Sequence, residues 1–225
     1  MRIKKRNGKL EELNIDNIHR MLEACKRDDL DISVSATAIN AHIKFADGMS
    51  TTDIQKTLIK SAAENITTDT PDYSILAARL LVTEMRKEVY GSFDPLPFLE
   101  YVHLNVEQGL YDSAILEYYS DEEIEILGDL IDYENDLHRP YSSIVQMDSK
   151  YLIKDAKTDR RLEMIQEIFM LIPMVIFAKE TDRMTYIKDF YTALKDDKIS
   201  LPPPIISGVR TKLKMFSSCC KIKMG

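Results

Sequence analysis

The chain has 225 residues, 44% hydrophobic and 30% charged, which is enough to bury one or two cores of an ordinary globular protein. No apolar run reaches the roughly 18–20 residues that a membrane span needs, and the basic start MRIKKRNGK precedes no apolar stretch of the secretory type. A net charge of −7 with no zinc-finger spacing argues against a nucleic-acid partner, and three cysteines, two of them adjacent, suit a reducing cytoplasm rather than a disulfide framework.

The first elements are punctuated clearly. RIKKR and KLEEL flank Asn7-Gly8, the dipeptide of a type I′ turn, and predict an N-terminal β-hairpin. A helix beginning near Asp16 follows, with Ile18, Met21, Leu22 and Cys25 on one face. A second helix is predicted over 35–46, with Ile39 and Ile43 four apart, ending at Asp47-Gly48. Ser50 to Asp53 caps a third, whose stripe is Ile54, Leu58, Ile59, Ala62 and Ile66. Thr70-Pro71 opens a fourth, carrying Tyr73, Leu76, Leu80 and Met85, and Gly91 stops it. A hairpin and four helices make a self-contained first domain over 1–93, and the segment Gly91 to Pro97 reads as a linker.

Beyond it the pattern stays helical over 94–200. Ser120 and Glu123 form a capping-box pattern ahead of Ile124, Leu127, Leu130 and Ile131. YLIK and RRLE predict a short hairpin at 150–162, and two helices are predicted at 163–179 and 182–195. The apolar run IFMLIPMVIFA, interrupted by Pro173, reads as a buried helix. Leu201-Pro202-Pro203-Pro204 rules out helix, and MFSSCCKIKM reads as a buried strand. Charge is uneven: residues 96–140 hold 12 acids and one base, a solvated surface, whereas 141–225 hold 15 bases and 10 acids.

Residue types alone give modest chemistry. Lys4, Lys5, Arg6 and Lys9 cluster on the hairpin, but neighbours in a strand face opposite sides, so few can converge on one phosphate. Thr51 sits at a helix N-terminus, where anions are favoured, and Glu11 and Asn14 can hydrogen-bond a ribose or base. Cys219 and Cys220 point to opposite faces of a strand and are poorly placed to bind one metal. Cys25 reads as core, and His19, His42, His103 and His138 are scattered without ligand spacing.

The segments KRNGKLEELNIDNIHR, HIKFADGMSTTDIQ, TPDYSILAARLLVTEMRKEVYG, YDSAILEYYSDEE and KISLPPPIISGVRTKLKMFSSC carry a resemblance. Together they resemble the N-terminal part of the class I ribonucleotide reductase large subunit, along essentially the whole chain, with SGVRT…FSSC as the most specific motif. The resemblance implies a mainly α fold. It comprises an ATP-cone (β-hairpin plus four-helix bundle), a helical N-terminal domain at 94–200, and from 201 to 225 the first strand of a ten-stranded α/β barrel that is otherwise absent.

It also implies roles. Allosteric ATP, or dATP, would be bound by Lys5, Arg6, Glu11, Glu12, Leu13, Asn14, Ile15, Asp16, Asn17, Thr51 and Lys87. Gln55 and Glu84 stand where dATP-inhibited members have histidines, and Asn17 where a lysine is common, so dATP inhibition is expected to be reduced or absent. Cys219 would be one of the two thiols that reduce the ribose and form a disulfide each turnover. Ser218 and Pro203 would lie against the nucleoside diphosphate substrate, and Cys220 would be packing. No metal is expected on this chain, the di-iron or di-manganese radical cofactor belonging to the small subunit.

Partners implied are a C-terminal large-subunit polypeptide, from a split gene or lost by truncation, the radical-generating small subunit, and thioredoxin or glutaredoxin. The alternatives are a non-enzymatic nucleotide-sensing cone protein, disfavoured by the absence of a paired CxxC, and an inert fragment.

Overall fold

The structure is a computed structural model that describes residues 1–5 and 7–212. It divides into two compact units, Met1–Lys87 with Asp136–Gln146, and Glu88–Asn135 with the residues from Met147 onward.

In the first unit, β1 (Arg2–Lys4) pairs antiparallel with β2 (Leu10–Glu12), in the register Arg2↔Glu12, Ile3↔Glu11 and Lys4↔Leu10. The Lys5 amide donates to Lys9 O at 2.8 Å in the same register, so three positions separate the paired residues where a two-residue type I′ turn has two. The Gly8 amide donates to Lys5 O at 2.9 Å and Gly8 takes φ +83°, the left-handed position such loops reserve for glycine. Four helices follow: α1 (Ile15–Lys26), α2 (Val34–His42), α3 (Thr51–Glu64) and α4 (Asp72–Val89). Their starts follow the sequence logic, since the Asn14, Ser33 and Ser50 side chains accept from the Asp16, Ala36 and Asp53 amides.

The core of this unit is Ile18, Leu22, Leu58, Ala62, Leu76, Leu80 and Met85. Helix α2 corrects one expectation: Ile39 and Ile43 are 61% and 77% exposed, and the buried face is Val34, Thr37, Ala38 and Ala41. Small residues let α2 pack closely on α1 and α3, and the helix ends before Ile43 can join a stripe. Arg79, 1% exposed, ties the unit together. Its Nε donates to Leu137 O (2.8 Å) and its NH1 to Cys25 O (3.0 Å), a carbonyl at the C-terminal end of α1. The guanidinium also grips Asp29 at 2.8 and 2.5 Å. The amide of Tyr141 donates to Ser74 Oγ at 3.1 Å, so residues 136–146 pack with the helices of the first unit although they lie far along the sequence.

The second unit contains α5 (Phe98–Glu107), α6 (Ala114–Tyr118), α7 (Asp121–Gly128), the end of α8 (Tyr141–Lys150), α9 (Ile165–Ile176), α10 (Arg183–Lys195) and α11 (Pro203–Gly208). The capping box of Ser120 and Glu123 is formed in full. Helix α9 is buried from Ile165 through Met174 and packs on α10. Gly128, at the end of α7, is tight against Phe98: a Cβ there would lie 2.8 Å from the Phe98 Cβ.

The short hairpin at 150–162 forms in minimal form: an antiparallel bridge, Lys154↔Arg161, flanked by bonds from Leu162 N to Ile153 O (3.0 Å) and from Asp155 N to Arg160 O (2.8 Å). One further expectation is corrected. The proline run does not exclude helix, because Pro203 occupies the first turn of α11, where the missing amide costs nothing. The strand expected around Cys219 lies outside the described residues.

Candidate functional site

Two sets of residues carry candidate chemistry, and each is placed by a different local device. In the first unit, β1 lies beside the chain entering α3. Lys4 N donates to Met49 O (2.9 Å), Gly48 N donates to Arg2 O (2.8 Å), and Lys4 and Ser50 form a parallel bridge. Ser50 is the cap of α3, so Lys5 and Thr51 follow directly from one bridge, beside a helix N-terminus with unsatisfied amides. Lys5 Nζ meets Glu11 at 2.8 Å, with both side chains over a third exposed. These three residues gather at the turn end of the hairpin.

The segment from Glu12 to Asn17 starts at the other end of the same strand pair, where Glu12 pairs with Arg2, three residues or about 10 Å from Lys5 at roughly 3.4 Å per residue. There the Leu13 amide donates to Met1 O (2.9 Å), Asn14 caps α1, and Asn17 accepts from Arg20. Ile15 is 44% exposed and Asp16 sits in the acid-favouring first turn. Gln55, one turn past Thr51, donates its Nε2 to Leu80 O at 2.9 Å and is thereby committed to α4. Glu84, one turn farther along α4, is 3% exposed, and Lys87 is half-buried near the helix end. An acid at 84 and a neutral amide at 55 leave this region with fewer potential cations than histidines would provide. Arg6 lies outside the described residues.

In the second unit the SGVRT motif proves to be an internal anchor. Arg210 is fully buried against Glu163, also fully buried, with Nε donating to Glu163 Oε2 at 2.8 Å and NH2 paired to Oε1. Its remaining donors go to Ile206 O and Tyr151 O, and its own carbonyl accepts from the Asp112 amide at 2.9 Å. Glu163 also accepts from the Ile153 amide (2.7 Å) and the Tyr111 hydroxyl (3.1 Å), and the Tyr111 and Tyr101 hydroxyls meet at 2.9 Å.

Burial alone would lower the pKa of Arg210, but the Glu163 carboxylate, then Tyr111 and Tyr101, raise it and keep the guanidinium charged. Burial and the nearby carboxylates push the Tyr101 and Tyr111 phenols well up, so both stay neutral donors. Nothing local in the sequence marks this pair: the partners are 47 positions apart, and only an acid and a base in otherwise apolar surroundings hint at it.

Beside the anchor a pocket of about 560 Å³ is lined by Gly109, Leu110, Ile153, Pro204, Ser207 and Lys212 among others. Pro203 adjoins it in sequence, at the start of α11. Ser218, Cys219 and Cys220 lie outside the described residues. Cys25 is buried beside Thr83 (3.8 Å), and burial pushes its thiol pKa up, so it is an inert core residue. Among the described residues no cluster of His, Cys, Asp or Glu has the makings of a metal site, and no helix is long and apolar enough to cross a membrane.

Known proteins match this chain in two blocks. Residues 1–88 match the family model of the ATP cone domain, and residues 138–214 match that of the ribonucleotide reductase all-alpha domain. The chain is 40% identical over 226 aligned residues to ribonucleoside-diphosphate reductase 1 subunit alpha of Escherichia coli K12, covering 99% of this chain and 30% of that protein. It is 42% identical over 180 residues to ribonucleoside-diphosphate reductase subunit alpha of phage T4, covering 80% of this chain and 24% of the relative. To the subunit alpha of Helicobacter pylori it is 30% identical over 215 residues, 96% of this chain and 27% of the relative. The chain thus spans about 30% of the length of the first curated relatives it matches.

Proposed function

The chain carries an ATP cone domain in residues 1–88 followed by the ribonucleotide reductase all-alpha domain in 138–214, and from that order we propose that it serves as the N-terminal portion of a class I ribonucleoside-diphosphate reductase large subunit. The single observation that carries this reading is 40% identity, to a protein of that name, running over 99% of the chain.

In this reading the cone binds ATP as an allosteric effector. Lys5 and the α3 N-terminus at Thr51 face the phosphates, Glu11 to Asn17 contact the ribose and base, Arg6 adds charge, and Lys87 closes from α4. The geometry supports part of that arrangement, because Lys5 pairs with Glu11 and the Lys4↔Ser50 bridge sets Lys5 beside the start of α3 at Thr51. Glu12 contributes from the end of β2, Leu13 and Asn14 from the link to α1, and Ile15 and Asp16 from the first turn of α1.

The second half contributes to the reaction itself. Cys219 acts as a reducing thiol that protonates the departing 2′-hydroxyl, which leaves as water, and with a second thiol it becomes a disulfide. A thiol of ordinary pKa suits this role, since the proton must be present to be given. Ser218 and the backbone at Pro203 hold the nucleoside diphosphate. The remainder of a large subunit, a small subunit carrying the metal-generated radical, and a thioredoxin-type reductant complete the cycle. Titration calorimetry with ATP tests the first half: one site per chain is expected, weakened at least tenfold by Thr51→Val with Lys5→Ala. Undiminished binding in that variant refutes the placement.

A further inference from the structure

Helix α11 is held in place neither by its length nor by its own burial. It has six residues, two of them proline, its cap residue Pro202 supplies no side-chain hydrogen bond, and none of the six is buried. Its start is also poor in donors. Pro202, Pro203 and Pro204 carry no N–H, and the Ile205 and Ile206 amides both donate to Pro202 O, at 3.0 and 3.3 Å. The Pro203 backbone therefore offers a ligand its carbonyl, which suits a hydroxyl or amine rather than a phosphate.

The buried residues come directly after the helix. Val209, Arg210 and Thr211 are all buried, and each bonds back into α11. Val209 N donates to Ile205 O (3.3 Å), Arg210 NH1 to Ile206 O, and Thr211 N and Oγ1 to Gly208 O (3.0 and 2.8 Å). Arg210 also reaches away from the helix, to Glu163 and to Tyr151 O, and its own carbonyl accepts from the Asp112 amide. Glu163 is fixed in turn by the Ile153 amide and the Tyr111 hydroxyl. One side chain thus ties the end of α11 to the interior of the second unit.

We propose that Arg210 is a positioning residue for substrate: by holding Ile206 O it fixes α11, and α11 in turn presents the Pro203 carbonyl to a donor on the sugar or base of the nucleoside diphosphate. The inference rests on the reading given under Proposed function, in which the Pro203 backbone lies against substrate. Arginine suits the task because its rigid fork grips Glu163 and Ile206 O at once, which an ammonium on a flexible stem cannot do. Without the guanidinium, a short helix with no buried residue of its own is free to tilt, and the carbonyl leaves its partner.

The test uses the complete reductase complex with Arg210→Met, Arg210→Lys and the double variant Glu163→Leu with Arg210→Met. It measures the thermal midpoint together with kcat and KM for a ribonucleoside diphosphate. The double variant is the decisive arm, because it orphans no ion and so recovers stability that Arg210→Met loses. In it KM rises about tenfold, the upper end for one hydrogen bond, while kcat stays within about threefold of the parent. That split marks a contact made equally in the ground and transition states. Arg210→Lys keeps a charge for Glu163 without the span, and its KM is intermediate.

A parent-like KM in the double variant overturns the proposal, because recovery of binding along with stability marks a merely structural role. A fall in kcat at unchanged KM overturns it as well. Arg210→Lys and the double variant carry the test if Arg210→Met does not fold. A parent complex that does not bind a ribonucleoside diphosphate overturns the reading under Proposed function. A parent that binds it, beside a double variant that binds it equally well, overturns the positioning role alone.

Discussion

Arg210→Met tests the anchor beneath the SGVRT motif. Methionine fills most of the arginine stem's volume but removes the ion pair and the donors to Ile206 O and Tyr151 O. It leaves Glu163, with no solvent exposure, facing only the Ile153 amide and the Tyr111 hydroxyl. Breaking a buried pair from one side costs about 3–5 kcal/mol, because the surviving charge stays desolvated. In a chain of this size each kcal/mol moves the thermal midpoint by about 2–4 °C, so the midpoint of the second unit falls by about 6–20 °C.

Removing both charges separates pairing from packing. Glu163→Leu with Arg210→Met leaves no orphaned ion and recovers about 2 kcal/mol or more relative to Arg210→Met alone. Urea unfolding followed by near-ultraviolet circular dichroism is a suitable assay, because Tyr101 and Tyr111 sit inside the network and report its packing. A loss below about 1 kcal/mol in Arg210→Met, or strictly additive losses in the double variant, refutes the anchor as described.

Gly128→Ala sets two effects against each other: removing a helical glycine gains up to about 1 kcal/mol, while forcing a Cβ to 2.8 Å from Phe98 costs about 1–3 kcal/mol. Net destabilisation in a thermal melt is expected, and a raised midpoint contradicts the contact. Hydrogen bonding from Arg79 outweighs the effect of burial and holds the Asp29 carboxyl at about 2, below its ordinary 3.8. The stability this pair supplies is therefore complete above about pH 4 and is lost as pH falls toward 2; Asp29→Asn shows a shallower acid limb, and an unchanged limb counts against the pair. With Gln55 committed to Leu80 O and Glu84 buried on α4, dATP inhibition of the assembled enzyme is expected to be reduced or absent. Gln55→His with Glu84→His raises dATP affinity, and full shutdown of the parent at low dATP removes the argument.

Many helix starts in both units are written in local signals. Ser50, Asn14 and the Ser120–Glu123 box announce helix starts because capping is satisfied within three residues of chain. Asn7-Gly8 marks the hairpin, although loop length depends on register, which β1 takes from the neighbouring 47–50 segment as well as from its partner strand. Periodicity misled at Ile39 and Ile43, where Ala38 and Ala41 take the close-packed face because small residues fit between helices.

The prolines at 202–204 hid α11, since the same residue that breaks a helix interior is tolerated in its first turn. The pairs that organise the second unit, Glu163 with Arg210 and Arg161 with Glu88, span 47 and 73 positions and obey no local spacing rule. Only folding brings them together. The acidic stretch between 96 and 140 is partly of this kind, with Glu123 gripping Arg183 at 2.6 Å and Asp132 meeting Lys195 at 3.3 Å.

The central claim is that this chain supplies a reducing thiol and an ATP-responsive cone to ribonucleotide reduction. Its most direct test is formation of deoxyribonucleoside diphosphate from labelled ribonucleoside diphosphate. The assay compares complexes of the chain, the rest of a large subunit and the small subunit, with Cys219 intact or changed to serine. The account predicts turnover by the parent and none by the serine variant, with assembly unchanged; turnover at the parent rate without the Cys219 thiol contradicts it.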